Sequence, residues 1–101
     1  MYLYSITINI DDDVKAIWLQ WLKDVFIDEL FKTNLFVKKN ILEMINEEKS
    51  DGTTYSLQLF MNSIEDYNQY EEQFCYNHQV LMHTKFQGKF VEFRTLLKLI
   101  D

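Results

Sequence analysis

Apolar and polar side chains alternate strictly over the first ten residues. One set is Tyr2, Tyr4, Ile6, Ile8 and Ile10, and the other is Leu3, Ser5, Thr7 and Asn9. A period of two is typical of a strand that buries one face, so this segment is predicted to be a strand. The same pattern predicts strands over residues 53–61 and 90–99. Residues 36–46 predict a fourth strand, whose apolar side chains fall on both faces.

Three aspartates at positions 11–13 precede the first predicted helix, where short carboxylates can cap free backbone N–H groups. No second ligand cluster accompanies them, so we favour capping over metal binding. The apolar positions that follow recur every three or four residues: Val14, Ile17, Trp18, Trp21, Leu22 and Val25. We expect the two tryptophans in the core. The stripe changes phase at residues 26–28, which predicts that the helix ends or kinks there.

The second predicted helix begins at Ser63, a hydroxyl N-cap followed by two acidic residues. Its periodic face continues to Phe86 and comprises Ile64, Tyr67, Tyr70, Phe74, His78, Leu81 and Met82. Gly88 then predicts a left-handed turn into the last strand. Between the second and third strands, Asp51 and Gly52 form a dipeptide typical of a hairpin turn.

The predicted order is β-α-β-β-α-β, which places the chain in the α+β class. Two crossovers around a central hairpin generate a ferredoxin-like sandwich, with a four-stranded antiparallel sheet and two helices on one face. At 101 residues the chain is expected to form a single domain, residues 1–101.

Helices can cover only one face of this sheet, so the other face is the place to look for function. We assign the most apolar strand positions to the helices: Ile6, Ile8, Leu57, Leu59, Val91 and Phe93. The opposite face then carries polar residues together with apolar Leu3, Phe60, Phe90 and Leu96. Two copies placed face to face would bury those apolar side chains, as in a dimeric α/β barrel. The predicted ligand-binding or interface residues are Ser5, Thr7, Thr54, Ser56, Gln58, Phe60, Phe90, Glu92 and Arg94.

The charge balance narrows the choice of partners. Ten basic residues stand against 16 acidic ones, a net charge of −6. Such a chain repels phosphate backbones and anionic lipid, so we expect neither nucleic acid nor a membrane as partner. The sequence has no apolar run near the roughly 20 residues of a membrane helix and no basic leader followed by an apolar stretch. A cytoplasmic protein is the expectation.

No pattern of catalytic residues emerges. Cys75 is the single cysteine, which excludes an intrachain disulfide, and we interpret it as a small apolar helix residue. His78 and His83 are five residues apart, so they are not the i, i+4 pair of a helical metal site. Two glycines allow neither a dinucleotide fingerprint nor a phosphate loop. We therefore expect no catalytic residue, no metal ligand and no cofactor.

Residues 51–60 and 88–97, together with Trp18 and Trp21, resemble an uncharacterised bacterial family, domain of unknown function 4286. The resemblance implies a fold similar to the dimeric α/β barrels. That superfamily includes cofactor-independent monooxygenases, haem-degrading enzymes and small ligand-binding proteins. The family has no assigned activity, so the resemblance implies no catalytic residue.

Two functions remain open. One is a homodimeric ligand-binding or interaction module that uses the open sheet face. The alternative is a cofactor-independent enzyme of the monooxygenase or isomerase type, with Arg94, Tyr55 or His78 beside a pocket between sheet and helices. The oligomeric state and the position of any cavity distinguish them.

Overall fold

The computed structural model describes residues 1–45 and 51–101. Its four strands are β1 (Tyr2–Ile10), β2 (Lys38–Glu43), β3 (Thr53–Met61) and β4 (Phe90–Lys98). They form one antiparallel sheet in the order β2-β3-β1-β4. The helices are α1 (Lys15–Trp21), α2 (Ile27–Phe31), α3 (Ile64–Gln73) and α4 (Cys75–Lys85). This confirms the predicted ferredoxin-like β-α-β-β-α-β order. Within the described residues, no helix is long and apolar enough to cross a membrane.

The central strand β1 supplies the middle of the core. Tyr4, Ile6, Ile8 and Ile10 are all buried. Tyr4 lies opposite Leu59 of β3 and Ile6 lies opposite Leu57, and both leucines are buried too. The predicted inward faces of β1 and β3 are therefore confirmed. Apolar and polar side chains alternate along both strands, so the sequence alone indicates which face is buried.

The predicted faces of β4 are wrong. Arg94 lies opposite Ile6, and Phe93 lies opposite Thr7. The residues on the helix side are therefore Phe90, Glu92, Arg94 and Leu96. Val91 and Phe93 instead point away from the helices and are 71% and 64% exposed. Both faces of β4 carry large apolar side chains, so hydrophobicity alone did not decide its phase.

The first helical region does not end at residues 26–28, which was one of the two predicted alternatives. A π-helical segment, Leu22–Phe26, joins α1 to α2. A π-helical turn inserts extra backbone and rotates the residues that follow, which accounts for the phase change. Trp18 and Trp21 are buried as predicted, whereas Ile17 is 65% exposed.

The aspartates at 11–13 do not cap this helix through their side chains. The N-cap position is Val14, and no side-chain bond caps it. Asp12 instead accepts a hydrogen bond from the Thr53 hydroxyl at 2.8 Å, and Asp13 pairs with Lys89 at 2.8 Å. These bonds tie the start of the helix to the neighbouring turns.

The second helical region begins as predicted and then divides. The Ser63 hydroxyl accepts a hydrogen bond from the Asp66 amide at 3.2 Å, which confirms the N-cap. A break at Phe74 separates α3 from α4, where one continuous helix was expected. Cys75 is consequently the first residue of α4, and it is buried as expected.

Gly88 lies in the predicted turn before β4, whereas the connection that contains the predicted Asp51–Gly52 hairpin turn includes residues 46–50, which lie outside the described residues. Gly52 and Gly88 both have positive φ, +86° and +74°. The second strand is shorter than predicted, Lys38–Glu43 in place of 36–46, and position 46 of that prediction lies outside the described residues.

The two glycines allow a matched test of backbone packing. A Cβ atom on Gly52 would lie 2.7 Å from Asn9 Oδ1 and 2.7 Å from the Ile10 carbonyl oxygen, whereas a Cβ atom on Gly88 would meet nothing within 4 Å. We expect Gly88→Ala to lower the free energy of unfolding by about 1–2 kcal/mol, from the left-handed conformation alone. Gly52→Ala should cost about 3 kcal/mol or more, because the turn must also move. Urea unfolding measures both, and equal losses would contradict the close packing at Gly52.

Candidate functional site

The sheet face turned away from the helices, here called the open face, is built from all four strands. Cross-strand register assigns its residues: Lys38, Asn40 and Leu42 from β2, Thr54, Ser56, Gln58 and Phe60 from β3, Leu3, Ser5, Thr7 and Asn9 from β1, and Val91, Phe93, Thr95 and Leu97 from β4. Six of the nine predicted site residues belong to it: Ser5, Thr7, Thr54, Ser56, Gln58 and Phe60. The other three, Phe90, Glu92 and Arg94, lie on the helix side.

Polar side chains in the middle of the open face bond to one another across the strands. The Ser5 and Ser56 hydroxyls lie 3.5 Å apart, within hydrogen-bond reach. Asn9 Nδ2 donates to the Thr54 hydroxyl at 3.0 Å. These bonds hold the polar centre in place, so covering it with a second surface would cost less than covering unbonded groups.

One end of the open face forms a concavity of about 410 Å³. Its lining residues are Thr7, Asn9, Met44, Asp51, Thr54, Val91 and Phe93. Polar groups from β1 and β3 form its floor, and β4 supplies an apolar wall. Among these described lining residues, Asp51 carries the charge.

Sequence reasoning missed the apolar wall. The sequence pattern places Val91 and Phe93 on the helix side, so they are absent from the predicted site. One signal in the sequence could have indicated the correct faces of β4. Glu92 and Arg94 have opposite charges and lie two residues apart, so they share a strand face and can pair there.

Glu92 and Arg94 do pair between the sheet and the helices. Their side chains are only 11% and 13% exposed, and Arg94 Nη2 lies 3.4 Å from Glu92 Oε1. Arg94 Nη1 donates to the Tyr4 hydroxyl at 3.0 Å and to Cys75 Sγ at 3.5 Å. The Tyr4 hydroxyl donates to Glu71 Oε1 at 2.7 Å. A polar network thus connects β4, β1 and the helices.

Burial sets the protonation states in this network. It raises the pKa of the Tyr4 hydroxyl well above its ordinary value, although Arg94 opposes that change. It also raises the pKa of the Cys75 thiol. Burial opposes the charged form of Arg94, but the Tyr4 bond and the Glu92 carboxylate keep its pKa above the ordinary value. At neutral pH the phenol and thiol are therefore uncharged, and a protonated thiol is a poor nucleophile.

Two polar atoms of the network have no hydrogen-bond partner among the described residues. They are Arg94 Nε and Glu92 Oε2, and both are buried. The Glu92–Arg94 pair is therefore shielded from water while two of its polar atoms lack hydrogen bonds. Such buried, unbonded atoms lower the stability of the folded protein.

Of the other residues considered for catalysis, Tyr55 lies apart from this network, whereas His78 borders it through Tyr70, whose ring packs on Tyr4 with centroids 5.6 Å apart. Tyr55 packs on Trp18, with ring centroids 5.2 Å apart. His78 is buried between the helices, where its Nδ1 lies 2.8 Å from the Tyr70 hydroxyl. Within residues 1–45 and 51–101, no three His, Cys, Asp or Glu side chains are placed to hold a metal ion.

A family comparison assigns the chain. The sequence model of a family described as a domain of unknown function (DUF4286) matches residues 1–100. The chain belongs to the DUF4286 family. No curated protein matches it significantly.

Solved structures similar to this DUF4286 protein share its fold. A dimeric ferredoxin-like protein from an uncultured marine organism matches with a TM-score of 0.72 and 14% identity, over 99% of this chain and 94% of that one. A protein from Nitrosomonas europaea, named as a candidate antibiotic biosynthesis monooxygenase, matches with a TM-score of 0.68 and 10% identity over 100% of both chains. MhuD, solved with two manganese protoporphyrin IX molecules per active site, matches with a TM-score of 0.65 and 10% identity, over 100% of this chain and 96% of that one. Such low identities establish the fold alone.

The buried ion pair can be tested by a double-mutant cycle. Arg94→Met should lower the free energy of unfolding by about 3 kcal/mol, because it leaves the Glu92 carboxylate buried without its cation. Adding Glu92→Leu should recover most of that loss. The control is Lys32→Met in the exposed Lys32–Glu29 pair, which should change stability little. Urea unfolding that shows the double variant to be less stable than Arg94→Met would contradict this account.

His78 should make stability depend on pH. Burial lowers the pKa of His78 below the ordinary histidine value of 6.5, although the Glu29 charge opposes this change. The unfolded chain therefore binds the proton more readily. The contribution of His78 to stability is complete above pH 6.5 and is lost as the pH falls through the lower folded-state pKa.

We expect His78→Gln to flatten the decline in unfolding free energy between pH 7.5 and 5.5. The matched control is His83→Gln, at an exposed histidine of the same helix, which should keep the wild-type slope. Urea unfolding at each pH gives both slopes. Equal slopes in all three proteins would contradict a neutral buried His78.

Proposed function

We propose that this DUF4286 protein is a homodimer that pairs through its open face and holds a small amphipathic ligand there. The observation that carries the proposal is the exposure of Val91 and Phe93, 71% and 64%, beside the concavity on that face. Adjacent large apolar side chains exposed on one face are typical of a surface that a partner covers.

The arrangement of the open face suits a second copy of the chain. Apolar side chains lie toward both edges, with Leu42 and Met44 at the β2 side and Val91, Phe93 and Leu97 at the β4 side. Between them lies the bonded polar centre. Pairing of two copies about a two-fold axis would bury these apolar side chains and enclose the polar centre between the two sheets. Each Å² of apolar surface removed from water contributes about 25 cal/mol.

Four further observations support the proposal. A structurally similar protein from an uncultured marine organism is described as a dimeric ferredoxin-like protein. The concavity of about 410 Å³ falls within the size range of small-molecule sites.

The net charge of −6 argues for a partner other than nucleic acid or an anionic membrane. The free thiol of Cys75 suits a reducing compartment, so the proposal includes a cytoplasmic location.

An enzyme with its site between sheet and helices is the second candidate. The observation that favours it is the network around Arg94, in which Arg94 Nε and Glu92 Oε2 have no partner among the described residues. Buried donors and acceptors of this kind can orient a polar substrate. The protonated Cys75 thiol and Tyr4 phenol speak against nucleophilic or base catalysis there.

Native mass spectrometry of the protein purified from its own host tests the proposal. A dimer with additional bound mass is the expected result. We expect Val91→Asp to shift the protein to the monomer, because each interface would then bury two unpaired carboxylates. Val80→Asp is the matched control, since Val80 is an exposed valine on α4, and it should leave the dimer intact.

The same measurement separates the two candidates. Loss of the bound mass together with the dimer would support a ligand held between two open faces. A Val91→Asp monomer that keeps the bound mass would contradict that location and favour a site at the Arg94 network on the helix side of the sheet. A wild-type protein that is monomeric at micromolar concentration would overturn the homodimer.

A further inference from the structure

We propose that the open-face concavity binds a small organic cation with an apolar body, such as an arylalkylamine. This inference rests on the proposed function, because it names the class of ligand that the open face holds. It follows from the charge, the apolar wall and the hydrogen-bonding groups of the concavity.

The charge of the concavity favours a cation. Asp51 lies at its rim, and none of the described lining residues is a lysine or arginine. Asp51 also borders a neighbouring depression formed with Gly52 and the aspartates at 11–13. Lys15 and Lys89 pair with Asp12 and Asp13, so part of that charge is neutralised, whereas the Asp51 side chain has no ion pair among the described residues. A ligand carboxylate would meet repulsion here.

The apolar wall favours a ligand with a ring or a short hydrocarbon chain. Val91, Phe93 and Met44 supply it, and all three are exposed. An aromatic face attracts cations as well as apolar groups, with organic ammonium ions as the best-known ligands. Because Phe93 and Asp51 line the same concavity, together they favour an amine over a neutral or anionic analogue.

Asn9 and Thr54 line the concavity together with Asp51. Asn9 Nδ2 is already used in its bond to Thr54, and this orients Asn9 Oδ1 toward the Gly52 turn. Gly52 permits the close approach because a Cβ atom there would lie 2.7 Å from that oxygen. The turn thus holds Asp51 near β1. An ammonium group only donates hydrogen bonds, which suits the acceptor oxygens of the Asp51 carboxylate.

A matched pair of probes tests the inference. Phenethylamine and phenylacetate share a phenyl ring on a short chain and carry opposite charges. Amide chemical shifts of the isotope-labelled protein, as it is purified, are followed during titration with each. We expect phenethylamine to bind about fivefold more tightly or better, with shifts at Val91 and Phe93, because one exposed charge contact is attractive and the other repulsive.

Two variants assign the effect to Asp51. Asp51→Asn should weaken phenethylamine binding about threefold to fivefold and leave phenylacetate binding equal or improved. Glu72→Gln removes the same charge from an exposed position on α3, on the helix side of the sheet, and should change neither. Backbone shifts outside the mutated turn show whether Asp51→Asn stays folded.

The results also separate this inference from the proposed function. Equal or tighter binding of phenylacetate, absence of saturable binding by phenethylamine, or shifts confined to other surfaces would each overturn the inference. A sedimentation measurement on the same samples reports the dimer independently. A dimer that fails to bind phenethylamine rejects the cationic ligand and leaves the dimer intact.

Discussion

The pairing of β1 with both β3 and β4 is the constraint on which the rest of the structure depends. β1 buries Tyr4, Ile6, Ile8 and Ile10 against the helices, and this orientation cannot slip by one residue without exposing all four. Because the side chains of paired residues share a face, the register with β1 decides the orientation of every residue on its two neighbours. The same constraint that builds the core therefore also builds the open face.

Placing Arg94 opposite Ile6 has consequences on both sides of the sheet. On the helix side it brings a guanidinium and a carboxylate into an apolar layer, where Tyr4 and Cys75 provide bonds. On the other side it leaves Val91 and Phe93 exposed. Since β4 is an edge strand, long charged side chains can lie there beside the core rather than in its centre. The β4 side of the open face is thus apolar, because the buried face of β4 carries the ion pair.

The helices adapt to the sheet by two local irregularities. The π-helical segment Leu22–Phe26 lets Trp18, Leu22 and Phe26 all reach the core. The break at Phe74 does the same for the other helical pair, where Tyr70, Cys75 and His78 are all buried. In both places the backbone departs from the α-helical spacing of 3.6 residues per turn. As a result, the buried side chains before and after the irregularity lie on the same face of the helical region.

The sequence by itself determined the order of the elements, the faces of β1 and β3 and the Ser63 cap, because in each case one local signal dominates. Six residues of the candidate site followed from the alternation of those two strands. The faces of β4 and the continuation of the first helix were not predictable in this way. On β4 both faces are apolar, so only pairing with β1 selects one. A π-helical turn satisfies packing between distant residues rather than a local preference. Tertiary structure therefore decided the apolar wall beside Asp51 and the burial of Arg94, since both depend on contacts between segments about ninety residues apart in the chain.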